Sequence, residues 1–208
     1  MPDTPQAHWD QVYATKSADA VSWFQEYPAL SLAMLAATRL GPGAAVIDVG
    51  AGASRLVDGL MDRGFQRITV LDVSGEGLAV AQARLGEKSA AVTWVVADLT
   101  TWTPEPGAFG IWHDRAVLHF MVGEADRQAY VRALSSALKS GGYAILATFA
   151  LSGPERCSGL PVRRYSPALM QSVLGPRFKF IEARPETHRT PGGASQDFVW
   201  CLFQKTAA

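Results

Sequence analysis

The sequence predicts an α/β fold: a seven-stranded, mostly parallel sheet covered by helices on both faces, with one antiparallel C-terminal strand. Three observations carry this. Short apolar runs rich in β-branched residues alternate with stretches of helical spacing. Glycine and proline clusters such as Gly41-Pro42-Gly43, Gly50 to Gly52, Pro104 to Gly107 and Gly141-Gly142 punctuate them. Beyond Pro176 the alternation stops, and two strands are separated by a Gly/Pro-rich loop with no helix between them.

In chain order, Trp9, Val12 and Tyr13 share one face of an N-terminal helix. Leu30–Leu40 reads as a second helix. The strands expected on both-face burial are Ala45–Val49, Ile68–Leu71, Val92–Val96, Gly110–His113 and Tyr143–Phe149. Helices Ser54–Arg63, Glu76–Leu85 and Glu124–Lys139 separate them, the last with Tyr130, Leu134 and Leu138 at helical spacing. Strand–helix alternation of this kind gives a parallel sheet. Phe178–Ala183 and Phe198–Phe203 form the closing hairpin. Trp94 and Trp200 fall in strands and read as core, Trp9 and Trp23 as part of an N-terminal cover; Trp102 and Trp112 are open.

The chain has 208 residues, 19 Lys+Arg against 19 Asp+Glu, 48% hydrophobic and 18% charged residues. That length fits one domain with its own core. Zero net charge argues against a nucleic-acid partner, which calls for a basic excess. Cys157 and Cys201 are too few for a disulfide scaffold or a cysteine-based metal site, and no metal ligand set is expected. The opening MPDTPQAHWDQVYATK has no apolar leader, and no run approaches a membrane span, so a cytoplasmic protein without membrane contact is expected.

The sharpest segment is Val46-Ile47-Asp48-Val49-Gly50-Ala51-Gly52-Ala53-Ser54. A buried strand ends in a carboxylate, and a glycine turn then opens a helix. Such a turn lies at the crevice where α/β sheets bind ligands. A dinucleotide would want a third glycine where Arg55 stands, and Asp48 would repel a pyrophosphate but attract an ammonium. Asp72 closes the second strand, about 20 residues past the turn, where a carboxylate suits two ribose hydroxyls. Asp98 closes the third, where a side chain can accept from an adenine amino group; it can equally cap a short turn.

VIDVGAGAS, LDVS, VADL, WHDRAVLHF and GGYAILATF, in that order, resemble the class I S-adenosylmethionine-dependent methyltransferases from about Trp9 to Phe203. The resemblance implies a Rossmann-like sheet, the cofactor S-adenosyl-L-methionine and the product S-adenosyl-L-homocysteine. It implies one methyltransferase domain over 1–208: an N-terminal cap or lid at 1–28, and a core at 29–208 with a loop insertion at 151–166. Gly50, Ala51 and Gly52 would pass under the methionine part, with Asp48 near its ammonium. Asp72 would hold the ribose; Val73, Asp98 and Leu99 would bracket the adenine; His113 would face the sulfonium. Tyr13 and Trp23 would touch the cofactor from the lid, or merely seal the sheet edge.

At the acceptor end the sequence is less informative. Methyl transfer mainly positions a nucleophile, and a base is needed only if that nucleophile arrives protonated. His113, Asp114 and His119 are the catalytic candidates, and Arg115, Arg164, Tyr165 and His188 the substrate-binding ones. Each histidine can equally be a structural one, and Cys157 a small buried hydrophobe. His113-Asp114-Arg115-Ala116 stands where amino-directed nucleic-acid methyltransferases carry Asn/Asp-Pro-Pro-aromatic. Two cysteines fall short of the arsenite enzymes, and neither the lysine pattern of the catechol enzymes nor a magnesium cluster is present. A small molecule with an N, O, S or metalloid nucleophile remains, with a protein lysine as the alternative acceptor. A non-catalytic cofactor-binding protein and a nicotinamide oxidoreductase are the competing classes.

Overall fold

A computed structural model describes residues 4–207; the outer ends of the expected 1–28 lid and of the 1–208 domain lie outside the described residues. Nine strands form in chain order: β1 (Ala45–Val49), β2 (Arg67–Asp72), β3 (Val92–Val96), β4 (Phe109–Arg115), β5 (Leu138–Phe149), β6 (Arg156–Cys157), β7 (Leu160–Pro161), β8 (Phe178–Arg189) and β9 (Ser195–Lys205). Among the described residues six α-helices accompany them: α1 (Pro5–Thr15), α2 (Ala29–Ala37), α3 (Leu56–Asp62), α4 (Gly75–Leu85), α5 (Glu124–Ala137) and α6 (Pro167–Leu174). Seven strands make one sheet in the order β3-β2-β1-β4-β5-β9-β8, while β6 and β7 make a separate small hairpin. β9 runs antiparallel to both β5 and β8, and the other pairings in the sheet are parallel. This is the expected seven-stranded α/β sheet with one antiparallel strand.

Alternation along the strands divides the core in two. Ile47, Trp112, Leu146 and Cys201 pack toward Tyr130, Leu134, Met170 and Leu174 of α5 and α6. Val46, Ile111, Ile145 and Trp200 pack on the other face, toward Leu32, Leu56, Leu60 and Leu78 of α2, α3 and α4. Trp112 is thereby a core residue, fully buried with its indole N–H donated to Tyr130 at 3.1 Å. Trp94 is only half-buried against the core. Strand order reverses between β1 and β4, and at such a point the crevice outside the carboxyl ends of the strands is open to a ligand.

Three elements differ from expectation. α5 stops at Ala137, and Leu138 is extended and paired with Phe109, so β5 begins five residues before Tyr143. The closing hairpin is longer than read, with His188 opposite Gln196 and Arg189 opposite Ser195. Pro185 is tolerated inside β8 because that strand is the sheet edge, where a missing N–H costs no ladder bond. α6 was not expected, although Ser166 caps it through Leu169 N and Pro167 opens it, both recognised start signals.

Candidate functional site

The floor of the crevice is the turn after β1. Gly50 and Gly52 have φ of 62° and 49°, the left-handed region that a side chain disfavours. A Cβ on Gly50 would overlap Val117 Cγ2, and one on Gly52 would overlap the Tyr13 hydroxyl. Asp72, at the end of β2, accepts from Gly52 N at 2.7 Å and from Ser74 N at 2.8 Å. Burial nevertheless raises its pKa to about 6, against the lowering effect of those backbone donors. The acid is thus fixed in direction by the turn beside it and disfavoured as a bare charge.

Beneath the turn, Asp48 and His113 face each other on β1 and β4, which pair at those residues. His113 Nδ1 lies 2.7 Å from Asp48 Oδ1, and Nε2 lies 3.1 Å from Ser31 Oγ on α2. Asp48 Oδ2 is buried without a hydrogen-bond partner among the described residues. It borders a cavity of about 50 Å³ that Ala51, Trp23, His113 and Arg115 also line. An orphaned carboxylate oxygen at the edge of a small cavity is a place for a cationic donor.

A much larger cavity, about 590 Å³, runs along the strand ends. Asp72, Val73, Asp98 and Leu99 line one end, and Phe120, Phe149, Cys157, Gln196 and Phe198 the other. Gly50, Trp23 and Arg115 border both cavities. α1 and the segment after it form the roof. Trp9 makes edge contacts with Trp23 at 5.7 Å and Phe120 at 5.2 Å, and Tyr13 with Trp23 at 6.3 Å. Desolvation, then the charge of Asp72, pushes the Tyr13 hydroxyl well above its ordinary pKa, so it stays a neutral phenol. Polar ties hold the roof. Ser74 Oγ donates to Asp10 Oδ1 at 2.6 Å, Arg115 Nη1 to Trp23 O at 2.9 Å, and Gln25 Nε2 to Glu186 Oε1 at 2.9 Å; His188 Nε2 sits 2.8 Å from Ser22 O.

Several residues singled out in the sequence have other work. His113 is only 2% exposed with both ring nitrogens engaged, so it positions Asp48 and has no free nitrogen for an acceptor's proton. Asp114 is fully buried and accepts from Val117 N (2.8 Å), Leu118 N (3.0 Å) and the Tyr130 hydroxyl (2.5 Å). It closes the chain reversal after β4 and does not face the crevice. His119 is sealed between Phe120 and Phe149, and burial lowers its pKa to about 3, too weak for a base at neutral pH. Arg164 pairs with Glu155 at 2.9 Å on the loop after β5, away from the cavity lining. Tyr165 is fully buried in the core beneath α5 and α6. His188 ties the roof to β8. Of the four proposed substrate-binding residues, the cavity lining keeps Arg115. Asp98 lines the cavity and accepts from Thr100 N at 2.8 Å, which is the turn-capping role foreseen for it.

Other residues around the site carried no individual signal. Asp10 stands in the Trp9–Tyr13 segment with nothing to show that it would cap α4 through Ser74. Gln196 and Phe198 are alternate residues of β9 and so share a side, which became legible only once β9 was known to begin at Ser195.

Residues 46–142 match the family model of a methyltransferase domain. Over those residues the chain is similar to methyltransferase domains, and its sheet has the seven-stranded α/β order expected of such a domain. A curated relative, the eEF1A lysine and N-terminal methyltransferase of Danio rerio, is 26% identical over 119 residues; the match covers 57% of this chain and 17% of that protein. The chain thus matches only a small part of that relative's length. Among solved structures, one described as the conversion of a disulfide bond into a thioacetal group during echinomycin biosynthesis superposes with a TM-score of 0.78 at 20% identity, covering 97% of this chain and 92% of that one. The Burkholderia thailandensis 1,6-didemethyltoxoflavin-N1-methyltransferase, with its substrate and S-adenosylhomocysteine bound, gives 0.70 at 19% identity over 97% and 84%. At these identities the structures establish the fold. No helix among the described residues is long and apolar enough to cross a membrane.

Proposed function

We propose that this domain binds S-adenosyl-L-methionine and passes its methyl group to a small-molecule nucleophile, releasing S-adenosyl-L-homocysteine. One observation supports this most: a single roofed cavity has acids at strand ends along one side and aromatic walls along the other. When bound, the cofactor supplies a methyl group activated by a sulfonium. Asp72 would hold the ribose hydroxyls, Val73 and Leu99 would flank the adenine, and Asp98 would accept from its amino group. The orphaned Asp48 Oδ2 suits the ammonium, beside Gly50, Ala51 and the Gly52 turn. Tyr13 and Trp23 close the site against water from residues 1–28, over a core at 29–208 with the 151–166 loop as one wall.

A thermal-shift comparison of S-adenosylmethionine, S-adenosylhomocysteine and NAD tests the cofactor. Stabilisation by NAD alone would put the nicotinamide reading in its place. Binding of the sulfonium compound without methyl transfer would favour a non-catalytic cofactor-binding protein. The sequence match to a lysine and N-terminal methyltransferase favours protein lysine as a second acceptor. Labelled methyl transfer into cell extract, fractionated by size, separates the two: label in the small-molecule fraction supports the first, label in protein the second.

A further inference from the structure

The large cavity contains a cation with two unused donors. Arg115 ends β4 with Nη1 given to Trp23 O and its guanidinium 4.9 Å from the Phe198 ring centroid. Its Nε and Nη2 are buried and make no hydrogen bond with any described residue. These two groups form one edge of the guanidinium, the edge that meets both oxygens of a carboxylate side-on. Neither acid in the field of Arg115 bonds to it. Glu186 accepts from Gln25 and from Trp200 Nε1, and Asp48 gives Oδ1 to His113 while its Oδ2 has no partner among the described residues. A buried charge with an empty fork is strongly disfavoured, so the arrangement calls for an anion that the chain does not supply.

The surroundings narrow that anion. Phe120, Phe149 and Phe198 line the same space. Gln196, on the same side of β9 as Phe198, lines it too, and its amide makes no hydrogen bond with the described residues. The other charged groups on the cavity wall are acids: Asp72, Asp98 and the exposed Asp126. One fork and no second cation match a monoanion better than a phosphate. A cation on the aromatic wall also disfavours a lysine ammonium.

Resting on the proposed methyl transfer, we infer that the acceptor is a planar aromatic or heteroaromatic carboxylate, its carboxylate held side-on by Arg115 and its ring by the phenylalanine walls. Gln196 meets a polar edge of the ring.

The test uses the whole chain and Arg115→Gln and Arg115→Lys variants, each first shown to fold by its melting transition. Benzoate, 2-naphthoate and the matching carboxamides are titrated by ligand-observed NMR, with and without S-adenosylhomocysteine. The wild type is expected to prefer carboxylate to carboxamide by at least about tenfold, as charge-assisted forks do. Arg115→Gln should erase the preference, and Arg115→Lys, which keeps the charge but not the fork, should restore only part of it. No preference in the wild type, or one that survives in Arg115→Gln, overturns the inference. So does an Arg115→Gln protein that loses affinity for S-adenosylhomocysteine but not for 5′-methylthioadenosine, which lacks the amino-acid end; the guanidinium then serves the cofactor. A wild type that ignores S-adenosylhomocysteine yet prefers carboxylates refutes the cofactor reading and with it the acceptor role, while the carboxylate site at Arg115 stands.

Discussion

At the proposed cofactor end, Asp48, Asp72 and Asp98 stand at or just beyond the ends of three strands, and β1 pairs with β2 residue by residue through Val49 and Leu71. At the acceptor end, Phe120, Cys157, Gln196 and Phe198 arrive from a short turn after β4, the small β6–β7 hairpin and an antiparallel strand. The first end is set by backbone register, with Asp72 further fixed by two amide donors. The second is set by which side chains three unrelated segments bring together. A site of the first kind tolerates variation in its walls but not in its turn. A site of the second kind can be reshaped without touching the sheet.

The largest effect expected falls on neither end but on the joint between them. Asp114→Ala strands two amide N–H groups and the Tyr130 hydroxyl in the core, at about 1–3 kcal/mol for each buried unsatisfied group. Denaturant unfolding should show it. A protein of unchanged stability that had lost turnover would return Asp114 to catalysis.

Next is Asp72→Ala, expected to weaken S-adenosylhomocysteine by about 1–3 kcal/mol in calorimetry. Full affinity would move the ribose site elsewhere. Trp23→Ala should cost less, about 0.5–1.5 kcal/mol in the same titration, from its edge contacts with Trp9 and Tyr13. If Trp23→Ala and Tyr13→Phe both left affinity and turnover intact, the roof would be a sheet-edge seal and not a lid.

The pH dependence of Asp72 sharpens the contrast further. Its folded pKa of about 6 lies above the ordinary 3.8, so burial disfavours the ionised form. Between those values the folded protein binds more protons than the unfolded chain, and stability falls as pH rises through that window. Affinity for hydroxyl donors runs the other way, because the ionised carboxylate is the better acceptor. S-adenosylhomocysteine should bind more tightly as pH rises through about 6, and Asp72→Asn should flatten the profile. The smallest effect belongs to Arg164→Ala. Its pairing with the exposed Glu155 should be worth under about 1 kcal/mol, with cofactor affinity unchanged.

The same contrast explains what could be read from the sequence. Asp72 and Asp98 were legible because a buried β-branched run announces its own end, and a strand end in a parallel sheet has only one crevice to face. Gly50 and Gly52 were legible because a left-handed turn admits little else. His113, Asp114 and His119 were misread for a common reason: polar residues at and beyond the end of a buried strand look catalytic, yet all three are taken up by the interior of the fold. Asp114 caps a reversal, His113 braces Asp48, and His119 is shut away by two phenylalanines. Gln196 and Phe198 were hidden because the extent of β9 depends on pairing with β8, which no local pattern encodes. Arg115 was named as a substrate residue from its place at the end of the fourth strand; its unoccupied edge became visible only with Trp23 and Phe198 in place.

Calorimetric titration of the intact chain with S-adenosylhomocysteine, run beside Asp72→Ala and against NAD, tests the central claim most directly. Saturable binding of S-adenosylhomocysteine that weakens in Asp72→Ala, with none for NAD, is the result expected. Binding of NAD with no response to S-adenosylhomocysteine would contradict it.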